Sequence, residues 1–275
     1  MRHFPGIILL VLFLFPACGF QPGSDPGQDK KGADRGTKRK EKEDADSKGA
    51  KHRGAPLAVK NDKIYKKNGR KYLWGGKDSS MHFDITNCSL RDSNFHFGLG
   101  REKFEALVDP EYISMEKADK KYEDSTKFLA TRINGVSRAY PLKVLQRHEV
   151  VNDRIGAVPV FSAYCHLADL SAIYPRVIKG DTLTFGLSGY TYYEKDEWEG
   201  KDAFVLWDRN TESLWWPLHE KAVSGKLKGA PLKVYDESTW EQIPWKKVKK
   251  DHPDAKVLEK GQAYDEEAHS YSYEG

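Results

Sequence analysis

The apolar residues of this chain fall in short strand-length runs, and the runs are separated by turn residues rather than by helical stretches. Residues 128–133, FLATRI, end at Asn134-Gly135, the dipeptide that best suits a two-residue hairpin, and residues 136–140 return as the second strand. Residues 157–165, AVPVFSAYC, read as a buried strand with Pro159 near its start. Residues 171–178 form another run, closed by Lys179-Gly180-Asp181, followed by 182–186 and by 203–207, which enters the turn Asp208-Arg209-Asn210. Helical signals are few. One helix is expected from Pro141 through Leu142, Val144, Leu145 and His148 to Val151, a second over 101–107 and a third over 239–250. Ser238 or Thr239 would cap the third, Pro253 lies beyond its end, and Pro244 inside it delays its start. The β/α alternation of a parallel sheet is missing, and Gly98-Leu99-Gly100 lacks the rest of a dinucleotide fingerprint. The expected fold is α+β, with a mainly antiparallel β sheet or barrel-like core and a few short helices.

The first 58 residues have a different character. Arg2 precedes an apolar run over 7–15 that is too short for a stable membrane-spanning helix, which needs about 20 residues. A charged start, a short apolar stretch and a small-residue end are the pattern of a signal peptide over 1–18. Its end, Leu14-Phe15-Pro16-Ala17-Cys18, resembles the lipobox of bacterial lipoproteins, in which the cysteine is lipidated and becomes the new N-terminus. Cys18 is therefore the expected lipidation site. The expected location is the cell envelope, at the outer membrane facing the periplasm, with a secreted soluble form as the alternative. Residues 19–58 have ten basic and seven acidic side chains and almost no aliphatic ones. Such a stretch buries too little apolar area to offset its ordering entropy and reads as a disordered charged tether, with a reach of roughly 35 Å. Residues 59–275 then form a single globular domain. The net charge of +4 resides in the leader and tether. The domain itself is close to neutral and lacks the basic face of a nucleic-acid binder.

From 83 to 258 the sequence resembles the bacterial family catalogued as domain of unknown function 3179. The resemblance rests on 133–142 (INGVSRAYPL), 147–153 (RHEVVND), 157–160 (AVPV), 163–167 (AYCHL), 183–189 (LTFGLSG) and 206–215 (LWDRNTESLW). It implies an exported, often lipid-anchored envelope protein and no established reaction. Many members carry a Tyr-Cys-Pro-Leu-Cys block. Here the block is Tyr164-Cys165-His166-Leu167-Ala168, so a dithiol cycle within it is impossible.

Two constellations could carry chemistry. Cys165 ends a predicted strand, while His148, Glu149 and Asp153 lie on or just after a predicted helix. If these meet, a thiolate, an imidazole and a carboxylate could bind a soft metal ion, copper or zinc, through Cys165, His148 and Asp153. They could instead form a cysteine nucleophile site, with Cys165, His148 and Glu149 as catalytic candidates in a hydrolase or transferase. Cys165 could equally be a small buried residue, or pair with Cys88 in a disulfide. The second constellation is Arg209, Glu212, Trp215 and Trp216. Arg209 and Glu212 could pair within their turn, and the two tryptophans could pack in the core or floor a ligand cleft. Tyr190, Tyr192, Tyr193 and Trp198 add to the aromatic supply, and His82, His96 and Asp84 form a looser group read as surface residues. The leading expectation is an envelope-anchored module that binds a metal ion or small ligand near Cys165 and His148. The alternatives are a Cys-dependent hydrolase or transferase, and a structural or interaction lipoprotein without chemistry.

Overall fold

The computed structural model describes residues 63–260. Cys18, the signal peptide and the tether lie outside them. The chain begins with a small antiparallel sheet of β1 (Ile64–Lys67), β2 (Arg70–Leu73) and β3 (Phe83–Asp84). β4 (Phe95–Phe97) and β5 (Glu111–Ile113) follow, each an edge strand of a five-stranded sheet completed later. α1 (Met115–Asp119) leads to the hairpin of β6 (Lys127–Ile133) and β7 (Val136–Pro141). α2 (Leu142–His148) then enters a meander of β8 (Val150–Ile155), β9 (Val158–Cys165) and β10 (Leu170–Pro175). β11 (Val177–Ile178) and β12 (Asp181–Thr182) form a short ribbon before the long hairpin β13 (Phe185–Tyr193) and β14 (Asp202–Asp208). β15 (Leu214–Trp216) and β16 (Lys221–Ala222) extend that hairpin. β17 (Trp240–Pro244), α3 (Trp245–Asp251) and β18 (Lys256–Lys260) complete the described chain.

The five-stranded sheets have the orders β16-β15-β14-β13-β4 and β17-β6-β7-β18-β5. Pairing between these strands is antiparallel except where β18 meets β7. The fold class is thus the expected one, mainly antiparallel sheet with three short helices among the described residues. Asn134 and Gly135 both have positive φ, 48° and 78°, as the primed hairpin turn requires. Strand parity explains the core. Along β14, Phe204 and Leu206 join one apolar cluster while Val205 and Trp207 join another, so that sheet is buried on both faces. Trp215 and Trp216 obey the same parity and lie 0% exposed in opposite layers.

All three expected helices change. Residues 101–107 are irregular, because their backbone groups bond outward: Arg101 N–H donates to Gly75 O, Glu102 N–H to Leu187 O and Leu107 N–H to Val150 O. The 239–250 helix divides at Pro244. The part before it pairs with β6 as β17, and only Trp245–Asp251 is helical, with Pro244 as N-cap. α2 stops at His148 rather than Val151, since Glu149 leaves helical geometry and β8 begins at Val150.

Candidate functional site

The α2–β8 junction meets the end of β9 at Cys165. The side chain is 2% exposed and packs in the cluster that holds Ala163, Ala168 and Phe204. Burial pushes its thiol up to about 12, with the nearby Glu149 carboxyl adding to the shift and backbone N–H groups of Phe204, Ala168 and Leu167 opposing it. At neutral pH this is a thiol, not the thiolate that attacks carbonyls or ligates metal. Glu149 is the C-cap of α2, with φ 56° and ψ −31°, and burial raises its carboxyl to about 8. His148 is buried and its Nδ1–H donates to the Glu105 carbonyl at 2.8 Å.

Asp153 does not join them. Alternation along β8 and β9 places Val150, Ala163 and Cys165 in one core layer, and Val151, Ile155, Val160 and Tyr164 in another. Asp153 has the parity of the second layer, on the other face of the meander from Cys165. Its Oδ2 accepts from the hydroxyls of Tyr140, at 2.6 Å, and Tyr112, with Arg138 Nε 3.7 Å away. Burial and the adjacent Asp153 charge push both tyrosine pKa values far up. Cys165, His148 and Asp153 therefore do not assemble as ligands for copper or zinc. Among the described residues no three His, Cys, Asp or Glu side chains form such a group. Cys88 and Cys165 are both free thiols, so they are not a disulfide.

The second constellation also rearranges. Trp215 and Trp216 belong to the core and not to a cleft, and Trp215 Nε1–H donates to Asp208 at 2.9 Å. Arg209 and Glu212 do not pair with each other. Arg209 holds Glu102 through two hydrogen bonds of 3.0 Å, and Glu212 is held by Arg101 at 2.9 and 2.7 Å. These reciprocal pairs tie the segment before β5 to the β14–β15 turn. They frame a cavity of about 320 Å³ lined by Met81, Arg101, Glu102, Glu105, Trp207 and Arg209. The Arg101 guanidinium lies 3.6 Å from the centre of the Trp207 ring, a close cation–π stack. Trp207 is 4% exposed, and its Nε1–H has no hydrogen-bond partner among the described residues. Opposite Trp207 on β13 stands Gly186, where a Cβ would lie 2.1 Å from Glu102 Oε1 and 2.8 Å from Trp207 Nε1. Only glycine leaves both groups in place.

A protein-family model matches residues 101–275, described as a protein of unknown function, DUF3179. The chain belongs to the DUF3179 family. The match begins later than the resemblance at 83 and runs to the end of the chain. No curated protein and no solved structure matches it. Within the DUF3179 segment lie both the Cys165 corner and all the cavity-lining residues except Met81.

Arg101, Glu102, Glu105, Trp207 and Met81 were not among the expected site residues. Arg101-Glu102 and Arg209-x-x-Glu212 do carry complementary charges, but nothing in the sequence pairs segments more than 100 positions apart. The remaining expected groups are dispersed. His82 binds Tyr65 and the Gly76 carbonyl, His96 binds Asp202, and Asp84 binds Arg70. Tyr190 and Tyr192 are buried in the sheet, while Trp198 is 52% exposed between β13 and β14.

Proposed function

We propose that this DUF3179 protein is an exported binding module of the bacterial cell envelope, anchored through lipid on Cys18, that holds a small polar ligand between Arg101 and Arg209. The observation that carries the reading is the arrangement of that cavity. Its guanidinium groups are fixed in place by bidentate carboxylates, and each keeps further N–H groups for a ligand. Preorganised polar groups around a concave, partly apolar surface suit small-molecule recognition. A hydrolase built on Cys165 has less support, because the thiol is closed off and held protonated. The leader and the lipobox-like Ala17-Cys18 support export and anchoring.

The test is thermal denaturation of the mature chain with a panel of small amines, carboxylic acids, amides and sugars. At saturating concentration one class is expected to raise Tm by about 5 °C. The rise should be lost in the Arg101→Ala, Arg209→Ala double variant. A flat response to every class would refute the ligand site. In parallel, Cys18→Ser should move the chain from the membrane to the soluble fraction, and a variant that stays with the membrane would refute the lipid anchor.

A further inference from the structure

The charge balance of the cavity identifies the class of ligand, an inference that rests on the binding reading above. Arg101 is neutralised by Glu212 and Arg209 by Glu102. Glu105 is left over. It is half-buried, it lines the cavity, and its side chain has neither an ion-pair nor a hydrogen-bond partner among the described residues. Its backbone is fixed, because the Glu105 carbonyl accepts from the buried His148 ring.

Counting Glu212, which holds Arg101 from outside the lining, the site therefore carries two ion pairs and one carboxylate, Glu105, without a partner among the described residues. A ligand carboxylate or phosphate would bring a second uncompensated anion beside Glu105, which costs free energy in a partly desolvated site. An ammonium satisfies Glu105 and leaves the site neutral. The residual N–H groups of Arg101 and Arg209 then call for neutral acceptors, hydroxyl or carbonyl oxygens, on the same molecule. Trp207 and Met81 supply an apolar wall. A cavity of about 320 Å³ has room for a molecule of monosaccharide size.

We propose that the cavity binds a small monocationic amine bearing neutral oxygen acceptors, the chemistry of an amino sugar or amino alcohol, with its ammonium on Glu105 and its oxygens on Arg101 and Arg209. No covalent step is involved.

Glucosamine, glucose, butylamine and acetate serve as probes, each titrated into the mature chain by calorimetry. Glucosamine is expected to bind more tightly than any of the other three, because only it offers both the cation and the acceptors. Glu105→Gln keeps the shape and removes the charge. It should weaken glucosamine by about tenfold or more while leaving Tm unchanged, since Glu105 holds no other side chain. If glucose or acetate binds as well as glucosamine, and Glu105→Gln has no effect, the ammonium assignment is wrong while the site stands. If no probe binds, and the panel of amines, acids, amides and sugars also leaves Tm unmoved, the site itself is wrong.

Discussion

The Cys165 corner and the Arg209 cavity both gather ionisable side chains near strand ends, yet they treat charge in opposite ways. At the corner, Cys165 is buried and Glu149 half-buried, and desolvation drives both toward their neutral forms, the thiol to about 12 and the carboxyl to about 8. At the cavity, each guanidinium meets a carboxylate in a two-point contact at the boundary with solvent. Reactive residue types are thus a poor guide to where chemistry can occur. The corner holds a potential nucleophile and acid but closes them in, whereas the cavity holds no nucleophile and stays accessible.

The largest expected effect tests how firmly the cavity wall is clamped. A Cβ at Gly189, where φ is +80°, would lie 2.0 Å from the Gly100 carbonyl oxygen. That contact is with backbone and cannot be relieved by a side-chain rotation. Gly189→Ala should cost about 3 kcal/mol or more and displace the 100–102 segment, weakening ligand binding as well as stability. Denaturant unfolding measures it. A loss below about 1 kcal/mol would show that the wall is loose and the cavity not preorganised.

The next effect sharpens the account of the corner. The Glu149 carboxyl titrates at about 8 in the fold against an ordinary value of 4.5. The folded state thus binds this proton more tightly than the unfolded chain does. The favourable contribution is fully present below pH 4.5 and is lost as pH rises through about 8. Glu149→Gln, which cannot ionise, should be close to neutral near pH 4.5 and stabilising by several kcal/mol at pH 9. Unfolding free energies across that pH range decide the matter. A difference between the two chains that does not change with pH would mean that Glu149 has a compensating partner.

The smallest effect separates the regions most sharply. Cys165→Ala removes a small buried group and should cost about 1 kcal/mol in stability. Calorimetric affinity at the cavity should be unchanged. A loss of binding in this variant would tie the two regions into one site and break the distinction between them.

Much of the architecture was readable from local chemistry. The hairpin at Asn134-Gly135 follows from residues that tolerate positive φ, and the runs at 128–133, 157–165 and 203–207 became β6, β9 and β14 with ends shifted by a residue. Pro244 already marked the point where the expected 239–250 helix would fail, and the structure makes the preceding residues a strand. The site was less readable. Proximity in sequence suggested an Arg209–Glu212 pair, whereas each side chain found a partner across more than 100 residues. Asp153 looked available to Cys165, but a difference of strand parity put the two on opposite faces.

What the sequence by itself determined is therefore local and periodic: antiparallel strands, their turns and the near-neutral domain behind a charged, apolar-poor segment. These depend on backbone preferences and on side-chain alternation, which neighbouring residues set. The tertiary structure alone decided which charges meet, which thiol is closed off and where a cavity opens. Those outcomes depend on how β4, β13 and β14 stack against the irregular 98–107 segment. Burial, the quantity that turns Glu149 neutral and leaves Glu105 unpaired at a cavity wall, is a property of the packed chain and not of any stretch of it.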